Sequence, residues 1–289
     1  MRILLAIDGS DDARAASESL VEFPLPAPLH LFVVSVVTLP QALVEIAPVR
    51  TVNEALRAQG RRIVDDARAT LAPRFGDVEG RVLEGDPRLE IVDAAERWGA
   101  EFIVVGARGL GPFRSAVLGS VSTTVVRHAP CPVLVVKRPV PALRSLVLAV
   151  DGSPHSIAAA RFVAGLPLDR VSRIRLLAVA EPPRFALATP EVPMPLLTVF
   201  EEELRAREDT LREVLAGIAA TLGGKGPAVE STVVVGGPSE EIVAAANEPG
   251  VDLVVVGARG LGAIKRLVLG SVSERVLHHA TSAVLVVRT

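Results

Sequence analysis

Val104-Val105-Gly106-Ala107-Arg108-Gly109-Leu110-Gly111, followed by Val117-Leu118-Gly119-Ser120-Val121-Ser122, is the stretch on which the reading of this chain turns. A short apolar run, Phe102-Ile103-Val104-Val105, ends at Gly106. A second glycine follows at 109, and Gly119-Ser120 opens a segment of helical character running to His128. A buried strand, a glycine-rich loop and a helix N-terminus in that order place unpaired backbone N–H groups and the positive end of a helix dipole together. That arrangement favours a phosphate. Gly106 would let backbone approach a ligand, Gly109 would supply a positive φ for the turn, and Gly119 would admit phosphate oxygens to the helix start. Ser120 and Ser122 would add hydroxyl donors. Glycines that merely end a strand and cap a helix would look the same in one copy.

There are two copies. Val104–Gly111 recurs without change as Val255–Gly262, and Val117–Ser122 recurs as Val268–Ser273. Leu5-Ala6-Ile7-Asp8-Gly9-Ser10 recurs as Leu148-Ala149-Val150-Asp151-Gly152-Ser153, and Pro132–Val136 as Ala283–Val287. Internal similarity of this length means a duplicated domain. The boundary is expected near residue 142, giving domains 1–141 and 142–289, with a proline-punctuated linker at Lys137–Arg144. The second copy is longer between its first motif and its glycine loop, and the proline-rich stretch Glu181–Pro195 is the expected place for the extra residues.

Within each copy strands and helices alternate. In the first, Arg2–Ile7, His30–Val37, Arg81–Glu84, Phe102–Val105 and Pro132–Val136 read as strands. Ser10–Phe23, the segment to Leu71 that carries Val52, Leu56, Ile63 and Ala67, Pro87–Trp98 and Ser120–His128 read as helices. Five strands joined by helices call for right-handed crossovers and a doubly wound parallel sheet. Hydrophobic residues make up 49% of the chain and mean hydropathy is +0.42. The apolar runs are nevertheless far shorter than the ~18 residues of a membrane span, and strands buried on both faces account for them.

The first apolar run is too short for a signal peptide. One cysteine, Cys131, excludes an intrachain disulfide, and it aligns with Ser282, so no repeated function depends on it. A reducing cytoplasm is the expected location. A formal charge of −2 with scattered basic residues is not the footprint of a nucleic-acid binder, and neither nucleic acid nor membrane is an expected partner. No Walker A sequence occurs: Lys225 sits among glycines but is followed by Gly226. The Rossmann fingerprint is excluded because these glycines follow the fourth strand and are spaced differently. Arg108 and Arg259 lie inside the loops, where phosphate contact and an ordinary surface role are equally open; Arg114 and Lys265 are weaker candidates. His128 and His279 end equivalent helices and read as C-terminal partners of the dipole. His278-His279 lacks companions for a metal site.

The glycine spacing, its place after the fourth strand, the Asp in Asp-Gly-Ser and the terminal Val-Leu-Val-Val strand resemble the ATP-binding branch of the universal stress protein family, in its tandem two-domain form. The resemblance covers nearly the whole chain. It implies two doubly wound five-stranded parallel-sheet domains of adenine nucleotide α-hydrolase type, strand order 3-2-1-4-5, related by a pseudo-two-fold axis. It also implies ATP in both copies. Asp8 and Asp151 would meet the ribose and help hold Mg²⁺; as residues, they also suit a simple Asp-Gly-Ser turn. Ala6 and Ala149, with the backbones of Val36 and Val179, would line the adenine pocket. Gly106, Gly109, Gly119, Ser120, Val121 and Ser122, and Gly257, Gly260, Gly270, Ser271, Val272 and Ser273, would cradle the phosphates.

The terminal strands Val133–Val136 and Val284–Val287 would pair the two halves within one chain. A homodimer of whole chains and a protein partner are further expectations. Beyond Asp8 no base is positioned to activate water, so the expected role is a nucleotide-binding stress-response regulator with at most slow hydrolysis. The alternatives are an ATP-consuming kinase or α-hydrolase-type ligase, and a structural pairing protein with vestigial sites.

Overall fold

Parallel strands carry the first copy. The computed structural model describes residues 1–39, 47–110, 118–182, 194–224, 226–260 and 269–288. Along the first copy run β1 (Arg2–Ala6), α1 (Asp11–Glu22), β2 (His30–Val37), α2 (Ala47–Phe75), β3 (Val78–Glu84), α3 (Pro87–Trp98), β4 (Phe102–Gly106), α4 (Ser120–His128) and β5 (Val133–Val136). The second repeats them as β6 (Ser145–Ala149), α5 (Pro154–Ala164), β7 (Arg173–Ala180), α6 (Met194–Leu222), β8 (Ala228–Val235), α7 (Pro238–Ala246), β9 (Leu253–Gly257), α8 (Ser271–His279) and β10 (Ala283–Val287).

The chain divides into two compact units, Met1–Leu143 with Thr281–Val286, and Arg144–Ala280 with Val287–Thr289. In the first, the strand order is β3-β2-β1-β4-β5, all parallel: Ala6 lies beside Val34 on one side and Val105 on the other, and Val104 lies beside Leu134. Val133–Val135 then pair antiparallel with Val284–Val286, which cover the otherwise open edge of β5. In the second, β8, β7, β6 and β9 repeat the parallel order, and the N–H of Ala258 donates to the carbonyl of Val287 at 2.7 Å.

The apolar runs become central strands because helices cover both faces. Ile3, Leu4, Leu5, Ile103 and Val104 are fully buried, as are Leu146, Leu148, Val254 and Val255. Caps set the helix ends. Ser10 Oγ accepts from Ala13 N, and Ser153 Oγ from Ser156 N, each at 3.2 Å. Asp86 accepts from Arg88 N at 2.9 Å ahead of Pro87, and Gly99 closes α3 in the left-handed region at φ 68°. Trp98, the sole tryptophan, packs on Phe32 with ring centroids 5.3 Å apart.

Two expectations are corrected. The third strand begins at Val78 rather than Arg81, because Val78–Glu84 pairs with Leu31–Val37 along its length. On α2 the buried stripe is Asn53, Gly60, Val64, Ala67 and Leu71, whereas Val52 is exposed. Gly60 belongs to the stripe because the helix approaches the sheet closely there: a Cβ would stand 3.0 Å from Val82 and 3.1 Å from Val37. The proline-punctuated linker after β5 packs against the first unit. Val140 and Leu143 are buried, and Val140 N donates to Ser19 Oγ of α1 at 2.9 Å. Of Glu181–Pro195, residues 183–193 lie outside the described residues.

Candidate functional site

The winding of the first sheet reverses between β1 and β4, and open α/β sheets bind ligands outside the strand ends at such a point. Two residues past β1 stands Asp8, and β4 ends on Gly106. Asp8 Oδ1 accepts from Ser10 N at 3.0 Å and Oδ2 from Leu110 N at 3.1 Å, so its carboxylate ties the glycine loop to the Asp-Gly-Ser turn. Gly9 makes that turn possible at φ 82°, and Gly152 repeats it at φ 80°. Ser10 Oγ, besides capping α1, donates to the carbonyl of Arg108 at 3.1 Å; Ser153 Oγ donates to that of Arg259 at 3.2 Å. Asp151 Oδ1 accepts from Ser153 N at 3.0 Å. Asp-Gly-Ser therefore has a defined task in both units: it clamps the glycine loop.

The loop glycines serve the protein's own packing. A Cβ on Gly106 would lie 2.7 Å from Ala13 N and from the Asp12 carbonyl carbon; on Gly257 it would lie 2.8 Å from Ser156 N and the His155 carbonyl carbon. Each marks the point where β4 or β9 meets the first turn of α1 or α5. Gly109 does not adopt the positive φ expected of it. It leaves room for Asp8, whose Oδ2 a Cβ would strike, and a Cβ on Gly260 would lie 2.6 Å from Asp151 Oδ2. Gly119 is the N-cap of α4, where a Cβ would lie 3.1 Å from the Ala107 carbonyl; on Gly270 it would lie 3.3 Å from Arg259 Cα.

Ser122 and Ser273 are buried, and their hydroxyls face inward. Ser122 Oγ lies 2.7 Å from the Ala107 carbonyl and 3.0 Å from that of Gly119; Ser273 Oγ lies 2.6 Å from the Gly257 carbonyl. A hydroxyl has one hydrogen to give, so both serines strap the loop to the helix rather than offering that hydrogen outward. Ser120 and Ser271 are exposed at the first helical position. Neither Gly119 nor Gly270 supplies a side-chain cap, and the first bond back to the cap comes from Thr123 N at 3.0 Å in α4 and Glu274 N at 2.9 Å in α8. The amides of Ser120, Val121 and Ser122, and of Ser271, Val272 and Ser273, precede those bonds and form the helix starts.

The ladder sets which way the Val36 and Val179 carbonyls face. Ile7 N donates to Val34 O, and Val150 N to Leu177 O, each at 2.9 Å, as the last β1–β2 and β6–β7 contacts. Backbone groups two residues further on face the same side. The Val36 and Val179 carbonyls thus face the side that β1 and β6 have left for their turns. Ala6 and Ala149, each 7% exposed, end those strands.

Arg108 is committed to Asp12, an acid in the first turn of α1. Its backbone N–H and Nε both donate to Asp12 Oδ2 at 3.0 Å. Lys137, just past β5, is largely buried, and desolvation with a smaller push from Arg108 lowers its pKa from 10.5 to about 8. At the place corresponding to Asp12 stands His155; burial, then the charges of Arg259 and Arg288, lower its pKa against the opposing pull of Asp151. Asn53 is buried, and its Oδ1 has no hydrogen-bond partner among the described residues. It lies one helical turn before Arg57, which grips Glu84 at the C-terminal end of β3. Arg114 and Lys265 lie outside the described residues. His128 and His279 are exposed at helix ends, and no group of three or more metal-binding side chains occurs among the described residues.

The sequence matches the model of the universal stress protein family twice, over residues 1–137 and 143–288. The chain belongs to that family. A universal stress protein of Mycolicibacterium smegmatis is 30% identical over 99% of this chain and 96% of its own length. One from Mycobacterium tuberculosis is 30% identical over 80% of this chain and 77% of its own. In three dimensions the chain is similar to a universal stress protein of Archaeoglobus fulgidus, at TM-score 0.66 and 21% identity over 99% of this chain and 96% of that one. That likeness speaks to the fold, and the strand order expected of the family is the one found. Among the described residues no helix is long and apolar enough to cross a membrane.

Proposed function

We infer that each unit binds ATP and that the protein acts as a nucleotide-dependent stress regulator with at most slow hydrolysis. The observation that carries this reading is the start of α4, repeated at α8. There a backbone N-cap without a side chain, three leading amides and the helix dipole converge beside the sheet's reversal point, the combination that favours phosphate. The amides of Ser120, Val121 and Ser122, and of Ser271, Val272 and Ser273, would hold phosphates, with Gly106, Gly109 and Gly119 and their counterparts shaping the loop. Ala6, Ala149 and the Val36 and Val179 carbonyls would receive adenine. Asp8 and Asp151 suit a ribose hydroxyl. A carboxylate oxygen that accepts one N–H keeps lone-pair capacity, so each also fits Mg²⁺ bound chiefly by phosphates and water. The ion would neutralise phosphate charge.

Fast turnover requires a base or water-positioning group at the γ-phosphate. Asp8 is engaged with two amides and Asp12 with Arg108. Occupancy, rather than turnover, would then set the surface offered to a protein partner. If ATP stands about 100-fold above its dissociation constant, one site adds ~2.7 kcal/mol to the occupied state.

Ser120→Asp with Ser271→Asp tests the reading. An acid at the first helical position suits the dipole and repels phosphate. Nucleotide released by denaturing purified protein is expected to fall from about two adenine nucleotides per chain, one per helix start, to almost none, with the fold kept. Unchanged content in the folded double variant would remove the helix starts from the site.

A further inference from the structure

The two glycine loops are identical from Val104 to Gly111 and from Val255 to Gly262, yet one position beside them changes its chemistry. Asp12 follows Asp8-Gly9-Ser10 by two residues, and His155 follows Asp151-Gly152-Ser153 by two. The correspondence holds in space. The missing Cβ of Gly106 faces the Asp12 carbonyl carbon at 2.7 Å, and that of Gly257 faces the His155 carbonyl carbon at 2.8 Å and its Cβ at 3.0 Å. Asp12 grips Arg108 through the backbone N–H and the guanidinium, with N···O distances of 3.0, 3.0 and 3.5 Å. An imidazole stands where that carboxylate would be in the second unit. The residue after the last strand is Lys137 in one copy and Arg288 in the other.

The groups around the first loop are therefore Asp8, Asp12, Arg108 and Lys137, two acids and two cations. Around the second they are Asp151, Arg259 and Arg288, with an imidazole pushed toward its neutral form by burial and by both arginines. Replacing one carboxylate by His155 leaves this set one charge more positive.

We propose that the two sites differ in phosphate-charge preference: the second favours a nucleoside triphosphate over a monophosphate more steeply than the first, because Asp12 adds a negative charge beside the first loop and His155 does not. This rests on the nucleotide-binding reading above. The loops are then not duplicates. The second responds to the triphosphate itself, and the first tolerates adenine nucleotides of lower charge.

The full chain carrying Ser271→Asp reports the first loop, and the chain carrying Ser120→Asp reports the second. Titration calorimetry of each with ATP and with AMP, at one salt concentration, gives the ratio of the AMP to the ATP dissociation constant. The ratio is expected to be about fivefold larger at the second loop, the effect of one partly screened charge. Asp12→His in the Ser271→Asp chain raises the first loop's ratio, and His155→Asp in the Ser120→Asp chain lowers the second's. Asp12→Asn, which removes the charge without the bulk of imidazole, moves the ratio in the same direction as Asp12→His. Equal ratios at both loops, or ratios indifferent to the exchanges while ATP still binds, overturn this proposal and leave the nucleotide reading standing. ATP binding by neither single-loop chain overturns both.

Discussion

Alanine at Gly106 puts a methyl carbon where the backbone of α1 already lies. The added Cβ would stand 2.7 Å from Ala13 N, 2.7 Å from the Asp12 carbonyl carbon and 2.9 Å from the Asp12 oxygen, where ordinary contact begins at 3.4 Å. All three atoms belong to the main chain of a helix's first turn, so no side chain can swing aside, and α1 must shift by several tenths of an ångström. Overpacking of a close contact costs about 1–3 kcal/mol, and backbone against backbone belongs at the upper end. The reduced entropy of the unfolded chain returns about 0.4–1 kcal/mol, since Gly106 has no left-handed φ that alanine would strain. The net loss is about 2 kcal/mol, which in a domain of this size lowers the melting midpoint by roughly 4–8 °C. Urea unfolding of nucleotide-stripped protein, followed by fluorescence of Trp98 on the first unit's α3, measures it without any ligand contribution. A Gly106→Ala protein with an unchanged midpoint that has nonetheless lost nucleotide would refute the reasoning. That result would return the glycine to a role in ligand approach.

Ser122→Ala removes the hydroxyl 2.7 Å from the Ala107 carbonyl; a loss of about 1 kcal/mol in urea unfolding is expected, with nucleotide content retained. The reverse pattern, content lost at full stability, would show that the hydroxyl faces phosphate. Gly9→Ala forces a side chain into φ 82° and against Ile63 at 3.1 Å; a cost of about 1–2 kcal/mol follows from the left-handed backbone, and a thermal melt at wild-type temperature would contradict it. Lys137, lowered to about 8 by burial and Arg108, holds fewer protons folded than unfolded between pH 8 and 10.5. Stability therefore rises with pH across that window, and the burden on the folded state is greatest below it. Lys137→Gln should flatten this rise in urea midpoints taken at pH 7.5 and 9.5, and an unaltered slope would assign the rise to another group.

The duplication made the architecture legible. Identical loops and repeated Asp-Gly-Ser turns align two copies, and alternation of short apolar runs with capped helices leaves few alternatives to a doubly wound sheet. Ser10, Asp86 and Pro87 could be read as helix starts because their chemistry acts within a few residues. The roles of Gly106, Gly109 and Ser122 could not. What a missing Cβ avoids, or where a buried hydroxyl points, depends on chain segments far apart in sequence: α1 for Gly106, Asp8 for Gly109, Ala107 for Ser122. Asp12 escaped notice for the same reason, since an acid in a helix's first turn already has a local explanation. On α2 a regular spacing led to Val52, whereas the face turned inward carries Asn53, a polar residue that hydrophobic periodicity does not weigh.

Residues that repeat between the copies and those that do not sort by what they touch. Asp8, Gly9, Ser10, Gly106, Gly109, Gly119 and Ser122 contact one another or nearby main chain, and each has the same residue type at its counterpart. They build the cradle, and the helix start offers amides that any sequence would supply. The cost of altering them therefore falls first on folding, and loss of nucleotide in a destabilised variant says little about contact. Asp12 and Lys137 lie at the border of the cradle, Asp12 holding the loop there through Arg108, and there the copies diverge, to His155 and Arg288. A duplicated site free to change only at its border can alter its electrostatic preference while its geometry is held by the fold. Exchanges at 12 and 155 should accordingly move nucleotide preference, with a stability change at position 12 no larger than about 1–3 kcal/mol from the lost Arg108 contacts. Alanine at 106 and 257 should instead lower unfolding midpoints and leave the AMP-to-ATP ratio unchanged. If alanine at 106 or 257 shifted that ratio as the exchanges at 12 and 155 do, the separation of cradle from border would be wrong.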